Sequence, residues 1–304
     1  LFTLTIIYAG VRNGIERVSK FMMPILIVLS VLIAVYSVTR PGAMEGVKYF
    51  LVPNVKNFSW MTVVAAMGQM FYSLSIAMGI LITFGSYMKK ETSLEDSTRN
   101  VEVFDTAIAI MAGLMIIPAV FSFSGGDPDT LQAGPALMFI TIPKVFENMG
   151  FGTVVGILFF LLVLFAAVTS SIALTESAVS TFEDELGWSR RRATVLVGVI
   201  MIALGSLSSL GYGPLVGIKI IGMQFLDFFD FLTNSVMMPI AAMLTSLFVS
   251  RIVGMKRMEE EIMHGESTFR RKKIFIVMIK YLCPVFALII LISSVANAFG
   301  WIAM

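Results

Sequence analysis

Oxygen-bearing side chains interrupt the long apolar runs of this 304-residue chain at a few places. Thr169, Ser170 and Ser171 stand together inside an uncharged run from residue 148 to residue 175. Hard cations prefer oxygen ligands, so a Thr-Ser pair with one backbone carbonyl could bind an ion such as Na⁺. The alternative is that these hydroxyls donate to carbonyls one helical turn earlier.

Four acidic residues border the apolar runs. Glu176 closes the run that holds the hydroxyls, and a carboxylate at membrane depth indicates function unless a basic residue outside this chain pairs with it. Asp105 opens the run 106–126, either as an acid favoured at a helix N-terminus or as a cation ligand. Asp227 and Asp230 stand among phenylalanines, where a role as mere solvated charge is hard to explain.

The composition excludes a soluble protein. Hydrophobic residues make up 57% of the chain and charged residues 14%, and the mean hydropathy is +0.89. Soluble domains have about 45–50% hydrophobic and about 25% charged residues. A net charge of +2 predicts no nucleic-acid partner. The single cysteine, Cys283, excludes an intrachain disulfide, the single histidine excludes a His-rich zinc site, and the chain contains no catalytic motif, so we expect no enzyme.

The elements that must position these residues are membrane helices, which need about 20 mostly apolar residues. The prediction is an all-α, multi-pass protein of the cell (inner) membrane with about seven full transmembrane helices and a partial one at residues 1–9. A shorter run at 130–143 predicts a re-entrant or surface helical loop. The seven uncharged runs are 21–38, 58–88, 106–126, 148–175, 193–218, 231–250 and 281–304.

The basic residues orient these spans. Of the 22 Lys and Arg residues, 17 lie in the alternate loops 10–20, 89–105, 183–192 and 251–280, which places those loops in the cytoplasm. The loop 251–280 is the most basic, and we interpret it as a topogenic signal rather than as a lipid-binding motif.

The run 58–88 is too long for one simple span. As a single helix its 31 residues would measure about 46 Å, against a hydrocarbon core of about 30 Å. Small and polar residues cluster in its middle, from Gly68 to Gly79. Either the helix is tilted with a small-residue packing face, or it is broken at the midplane and its freed backbone groups bind a substrate and an ion.

Several motifs, in order along the chain, resemble the neurotransmitter:sodium symporter family. The segment 68–79 with 84–87 resembles the family's sixth helix, and Gly14 to Lys20 with Pro24 resembles the start of the fifth. Phe139 to Pro143 resembles the fourth outer loop, and the segments 165–173 and 182–186 resemble the eighth helix. The resemblance implies a LeuT-type inverted-repeat fold, here lacking most of the first repeat, because it covers the end of helix four through helix eleven.

The resemblance also implies a division of this chain and further partners. Residues 1–57 correspond to the end of the first repeat and an outer loop, 58–250 to the second five-helix repeat, and 251–304 to a cytoplasmic loop and a last helix, within one transmembrane domain. Helices one to three, with the other half of the binding site, would lie in a longer protein or in a second chain.

The resemblance implies roles for individual residues by position. Ser73 and Asp105 match the first sodium site, and the Ala166 carbonyl, Thr169 and Ser170 match the second. The residues that match the substrate pocket are Tyr72, Ser73, Ser75, Met78, Ser170 and Leu174. Those that match the gates are Tyr87, Asp184 and Asp230. Gly14 and Pro24 match a hinge, and Gln69 matches a chloride-site position.

Departures from the family pattern refine the expectations. Asp105 stands where many members have Asn, and Ala109 where chloride-dependent members have a hydroxyl residue, so a fixed carboxylate would replace Cl⁻ and chloride would not be required. Ala77 in place of Gly narrows the pocket, and Met78 gives it an adaptable wall. We therefore expect a sodium-coupled symporter of a neutral, apolar or aromatic amino acid. The alternative is a truncated membrane protein that does not transport and has an assembly or regulatory role.

Overall fold

A computed structural model describes residues 2–127, 134–148, 150–265 and 268–302. These ranges are helical and contain no β-strand beyond one isolated bridge between Ile220 and Met223. The α-helices in chain order are α1 (Phe2–Tyr8), α2 (Arg17–Val38), α3 (Ala43–Leu51), α4 (Trp60–Ser73), α5 (Ile80–Ser86), α6 (Leu94–Ser124), α7 (Gly134–Ala136), α8 (Ile142–Glu147), α9 (Gly152–Leu186), α10 (Arg190–Leu210), α11 (Phe225–Asp230), α12 (Met238–Phe248), α13 (Met255–Ile262), α14 (Lys272–Val277) and α15 (Cys283–Ala298).

Short π-helical segments join several of these helices. One extra residue per turn in such a segment frequently marks a functional position. The π-helical segments are Val11–Glu16, Leu137–Thr141, Phe231–Met237, Val249–Val253 and Met278–Leu282, and single 3₁₀ turns lie at Val55–Asn57 and Met263–Gly265.

Six helices of the described residues are long and apolar enough to cross a membrane. They correspond to six of the seven uncharged runs, which confirms the predicted all-α multi-pass fold. The remaining run, 58–88, is divided into α4 and α5. The six spans are Gly14–Val38, Leu94–Ser124, Gly152–Leu186, Arg190–Leu210, Phe225–Val253 and Lys272–Ala298.

The helices extend beyond the uncharged runs that predicted them. α6 begins at Leu94, so Asp105 lies about three turns inside the helix, and its interpretation as an N-terminal acid is wrong. The cause is that α6 starts with polar and charged turns, which contain Glu95, Asp96 and Arg99, so the first apolar residue does not mark the first helical one. α9 likewise continues past Glu176 to Leu186.

The helices fall into two compact units. The first contains the described residues of Leu1–Phe58 and Val103–Ile172. Its core is fully buried at Ile33, Val120 and Ile142, and Phe146 meets Phe159 edge-to-face at 5.3 Å between ring centroids. Burial of each such side chain stabilises the unit through close packing, which is the main contribution when the surrounding solvent is lipid and not water.

The helical loop predicted at 130–143 belongs to this first unit. Residues 128–133 lie outside the described part of the chain. From Gly134 the chain is helical through α7, a π-helical segment and α8, which ends at Glu147. Ile142 and Val145 on α8 are fully buried, which is consistent with the expectation of a helical loop too short to span.

The second unit contains the described residues of Ser59–Glu102 and Ala173–Met304. α4 begins with a capping box, in which the Ser59 side chain accepts from the Thr62 backbone N–H and the Thr62 hydroxyl accepts from the Ser59 N–H; this satisfies donors that a helix start leaves free. Phe71 of α4, Met238 of α12 and Ile290 of α15 form its apolar cluster.

Candidate functional site

The break between α4 and α5 lies at the centre of the long uncharged run. Ser75, Ala77 and Gly79 have φ angles of 54°, 63° and 78°, and left-handed backbone at three alternate residues cannot continue a right-handed helix. The helix is therefore broken, as one of the two interpretations of this run predicted, and the binding of a substrate and an ion by its freed backbone groups stays a prediction. Irregular backbone at such depth is tolerated only where it faces protein or a cavity, so this segment can offer carbonyl and N–H groups to a ligand.

Gly79 is required at the end of the break. Its φ is left-handed, and a Cβ at this position would stand 2.6 Å from the Ser177 hydroxyl oxygen. That hydroxyl donates to the Met78 carbonyl at 3.5 Å and accepts from the Thr83 hydroxyl at 3.4 Å. The start of α5 therefore lies so close to α9 that a side chain at residue 79 would displace the Ser177 hydroxyl.

Replacing Gly79 with alanine is expected to destabilise the protein by about 2 kcal/mol, from the left-handed backbone and from the hydrogen bonds that Ser177 gives up when it turns aside. Chemical unfolding in mixed micelles measures this loss. Adding Ser177→Ala removes the clashing oxygen, so the second substitution should cost less in the Gly79→Ala background than alone. The control Gly205→Ala, in a helix with open space at the Cβ position, should leave stability unchanged or raise it. Equal effects of the two glycine substitutions would contradict the assignment.

A charged network lies at the far end of α5. The Tyr87 hydroxyl donates to Glu176 Oε1 at 2.8 Å, and the Arg190 guanidinium binds both oxygens of Glu176, at 3.1 Å and 2.5 Å. Arg190 also contacts Glu183 at 3.1 Å. Glu176 is fully buried and Arg190 is 24% exposed at its side chain, so the network is a largely desolvated ion pair with a phenol attached.

This network corrects one expectation. The expectation that a basic residue from outside this chain pairs with Glu176 is wrong, because its partner is Arg190 at the start of α10. The other alternative, a functional role for Glu176, stays a prediction. The predicted gate residue Tyr87 participates in the same network. The predicted gate acid Asp184 is exposed on the last turns of α9, while its neighbour Glu183 makes the contact to Arg190.

A cavity of about 360 Å³ in the second unit brings together three predicted residues. Gln69 and Tyr72 of α4 line it from one side and Asp230 of α11 from the other. The Asn234 side chain, in the π-helical segment that follows Asp230, donates to the Asp230 carboxylate at 2.5 Å. A cavity of mixed polar and apolar lining beside the break, with one oriented carboxylate, is a suitable place for the amino group of a ligand or for a gate contact.

Two oxygens of the predicted second sodium site converge in the first unit. The Thr169 hydroxyl oxygen lies 3.0 Å from the Ala166 carbonyl oxygen and 3.1 Å from that of Phe165. The hydroxyl donates to these carbonyls, as the structural alternative predicted. The same convergence of neutral oxygens fits a small hard cation once the hydroxyl hydrogen turns away. Ser170 is exposed, whereas the next hydroxyl, Ser171, lies 3.2 Å from that of Thr3.

The predicted hinge lies where the chain enters its first span. Gly14 is buried within the π-helical segment Val11–Glu16, and a Cβ there would stand 2.1 Å from the Ile6 carbonyl oxygen. Pro24 lies inside α2 and removes one helical hydrogen bond. The missing hydrogen bond weakens the helix at Pro24, whereas the lack of a side chain at Gly14 permits a close backbone approach, and the hinge itself stays a prediction.

Other predicted residues are divided between the units. Ser73, on the last turn of α4, belongs to the second unit and Asp105 to the first, so their pairing at the first sodium site stays a prediction. Ser170 and Leu174 are four residues apart on α9, hence on one helix face, but on either side of the division between units. Ser75 lies in the break and Met78 packs against the cluster of Phe71, Met238 and Ile290.

Sequence reasoning missed four residues that the structure places beside these positions. Arg190 was counted only as a topogenic charge, and Asn234, Ser177 and Thr83 were not selected. No periodic signal connects them to their partners, because each contact joins different helices or depends on a π-helical turn. A basic residue immediately after the end of α9 was the one available hint for Glu176.

Comparison with known proteins places these features in context. The model of the sodium:neurotransmitter symporter family matches residues 1–300. The chain is 36% identical over 265 residues to YhdH, a sodium-dependent transporter of Bacillus subtilis, and 33% identical over 290 residues to a sodium-dependent transporter of Haemophilus influenzae. These alignments cover 87% and 95% of this chain but 58% and 62% of the relatives, so the chain spans about three fifths of their length.

More distant and structural relatives agree. The human sodium- and chloride-dependent GABA transporter 2 is 26% identical over 285 residues, which cover 86% of this chain and 44% of that protein. The crystal structure of MhsT in complex with L-phenylalanine superposes with a TM-score of 0.82 at 36% identity and covers 96% of this chain and 66% of that one.

Proposed function

Because this chain belongs to the sodium:neurotransmitter symporter family, we propose that it forms part of a sodium-coupled symporter for a neutral, apolar or aromatic amino acid. The observation that carries this proposal is the break between α4 and α5, with left-handed backbone at Ser75, Ala77 and Gly79 in the middle of an apolar span. Such a break costs hydrogen bonds that lipid cannot replace. Binding of a polar solute accounts for its presence.

Three features support the choice of substrate. Tyr72 lines a cavity beside the break, and Met78 and Leu174 would add apolar walls. MhsT, similar in fold and sequence, was crystallised with L-phenylalanine. The Ala77 methyl occupies volume within the break, which favours a flat or branched apolar side chain over a longer polar one.

Sodium binding is assigned to two partial sites. The Ala166 carbonyl, Thr169 and Ser170 would form one, and the convergence of the first two oxygens at 3.0 Å supports it. Ser73 and Asp105 would form the other with the substrate carboxylate. The fixed charge of Asp105, together with Ala109, leaves no need for chloride. Each sodium carried inward across a potential of 100 mV adds about 2.3 kcal/mol.

Transport would proceed by alternating access. Asp230, oriented by Asn234, would close the outer side, and the network of Tyr87 and Glu176 with Asp184 nearby would close the cytoplasmic side. Opening inward would bend the chain between Gly14 and Pro24, where Pro24 weakens the helix. Further helices, in a longer protein or a second chain, would supply the remaining ligands.

The proposal is tested by uptake of labelled neutral amino acids into proteoliposomes with an inward sodium gradient. We compare this chain with a version extended at its amino end by the helices that its longer relatives carry. We expect sodium-dependent uptake of L-phenylalanine or a similar amino acid by the extended version, with no loss when chloride is replaced by gluconate.

The other outcomes are informative. Uptake by this chain alone would show that the first repeat is dispensable and that the assignment of half-sites is wrong. Both versions are checked for folding by size-exclusion chromatography and circular dichroism. If both are folded and neither takes up amino acids, the non-transporting alternative is favoured. Uptake that requires chloride would contradict the role given to Asp105.

A further inference from the structure

Three cavities of the second unit follow one another from a polar surface into its apolar interior. The polar cavity, about 390 Å³, is lined by residues that include Asp96, Arg99 and Arg270. The neck cavity, about 380 Å³, shares Glu95 and Arg271 with it. The inner cavity, about 320 Å³, shares Met278 and Ile279 with the neck cavity. Neighbouring cavities in this series therefore share walls and lie side by side.

The polar cavity is built by a fixed segment. The Glu95 carboxylate accepts the backbone N–H groups of Arg270 and Arg271, at 3.0 Å and 3.1 Å. The Arg271 guanidinium binds both oxygens of Glu102, at 3.1 Å and 2.8 Å; these hydrogen bonds first, and the nearby carboxylate charges, raise the pKa of Arg271. The chain before α14 is therefore held on the first turns of α6, in the loop whose charges predict the cytoplasmic side.

The polar cavity carries charges of both signs. Arg99 and Arg270 are exposed, and so is Asp96, whereas Glu95 is engaged by backbone N–H groups and Arg271 by glutamates. Guanidinium groups are suited to a phosphate, and the exposed carboxylate of Asp96 is suited to an ammonium. The combination matches a zwitterion that has both groups, and it disfavours a headgroup with negative charge alone.

The neck cavity is mostly apolar, although Glu95, Glu102 and Arg271 also line it, and the inner cavity is apolar. Leu94, Phe269 and Phe275 line the first, and Phe71, Phe286 and Ile290 the second. Apolar walls of this extent can make many dispersion contacts with a hydrocarbon chain, so such a chain would be favoured there. From Lys272 to Cys283 the helix rises about 16 Å, close to one leaflet's half of a core of about 30 Å.

We propose that the three cavities form a binding site for one phospholipid of the cytoplasmic leaflet with a primary ammonium headgroup, of the phosphatidylethanolamine class. Its phosphate lies at Arg99 and Arg270 and its ammonium at Asp96. One acyl chain passes the neck at Met278 and ends in the inner cavity. Ile76 and Ala77 of the break are part of that cavity's wall, so the chain end supports the irregular backbone.

Cys283 reports on this site without any engineered label. It is the one cysteine of the chain, it lines the inner cavity and it is partly buried. We measure its alkylation by N-ethylmaleimide in detergent with added dioleoyl phosphatidylethanolamine, dioleoyl phosphatidylglycerol or dioleoylglycerol. Phosphatidylethanolamine at about ten times its dissociation constant should slow alkylation about tenfold, and the other two lipids should have much smaller effects.

Variants separate the parts of the site. Arg270→Gln keeps the backbone N–H that Glu95 accepts, and it should weaken protection by phosphatidylethanolamine, as should Asp96→Asn. Met278→Trp fills the neck and should abolish protection. The control Lys219→Gln, an exposed charge in a loop predicted on the other side of the membrane, should change nothing. Unchanged alkylation rates without lipid show that Arg270→Gln and Asp96→Asn are folded. Circular dichroism shows this for Met278→Trp, because Met278 lines the same cavity as Cys283.

Two results would overturn the proposal. Equal protection by phosphatidylglycerol or dioleoylglycerol would refute the assigned headgroup, and no protection by any lipid would refute the site itself. Because the experiment measures binding without transport, its failure is independent of a failure of the proposed symport.

Discussion

Replacing Arg190 with alanine is expected to lower the free energy of unfolding by about 3–5 kcal/mol, because it leaves a fully buried carboxylate without its counter-charge. Glu176 has no exposed surface, and Arg190 binds both of its oxygens. The hydroxyl of Tyr87 would remain as a donor to Glu176, but one neutral hydrogen bond does not compensate a buried charge. Chemical unfolding in mixed micelles measures the loss.

A matched control separates this pair from the general effect of removing a charge. Arg191 is adjacent and exposed, and Arg191→Ala should change stability by less than about 0.5 kcal/mol. The double variant Glu176→Gln with Arg190→Met removes both charges and should recover most of the stability lost by Arg190→Ala. It also keeps a variant available for measurement if Arg190→Ala does not fold. Equal losses for the Arg190 and Arg191 substitutions would contradict the buried ion pair.

Removing the two hydroxyls of the proposed second sodium site is expected to reduce sodium-driven uptake by the extended protein about 100-fold, or about 2.7 kcal/mol. Thr169→Ala with Ser170→Ala leaves the Ala166 carbonyl as the remaining oxygen that this chain supplies to the ion. An interaction of one hydroxyl with a charge contributes about 1.5–3 kcal/mol, so the loss of two such ligands is sufficient for an effect of at least this size. The measurement is initial uptake as a function of sodium concentration.

Two comparisons make this test specific. Thr169→Ser keeps a hydroxyl at the same position and should retain most of the uptake. Ser171→Ala removes a hydroxyl that lies 3.2 Å from that of Thr3 and should reduce uptake no more than about twofold. The half-saturating sodium concentration should rise in the double variant. If uptake stays unchanged in that variant while the protein is folded, the second sodium site is elsewhere.

The spans and the broken helix differ in how far the sequence predicted them. Six uncharged runs each correspond to one membrane-capable helix. This could be predicted because a long apolar segment is favoured in the bilayer core by its own composition. The run 58–88 left a tilted helix and a broken one equally open. Ser75 and Ala77 are not glycines, so their residue types do not predict their left-handed backbone.

The sequence by itself determined that this protein is a multi-pass membrane protein and which residues are candidates for ion and solute binding. Composition, charge bias and ordered motifs carry that information, since each depends on residues close together in the chain. Only the tertiary structure decided that the run 58–88 is broken and that Arg190 is the partner of Glu176. It also decided that Gln69, Tyr72 and Asp230 line one cavity. Those facts depend on pairs such as Tyr87 and Glu176, 89 residues apart, which helix packing alone brings within hydrogen-bonding distance.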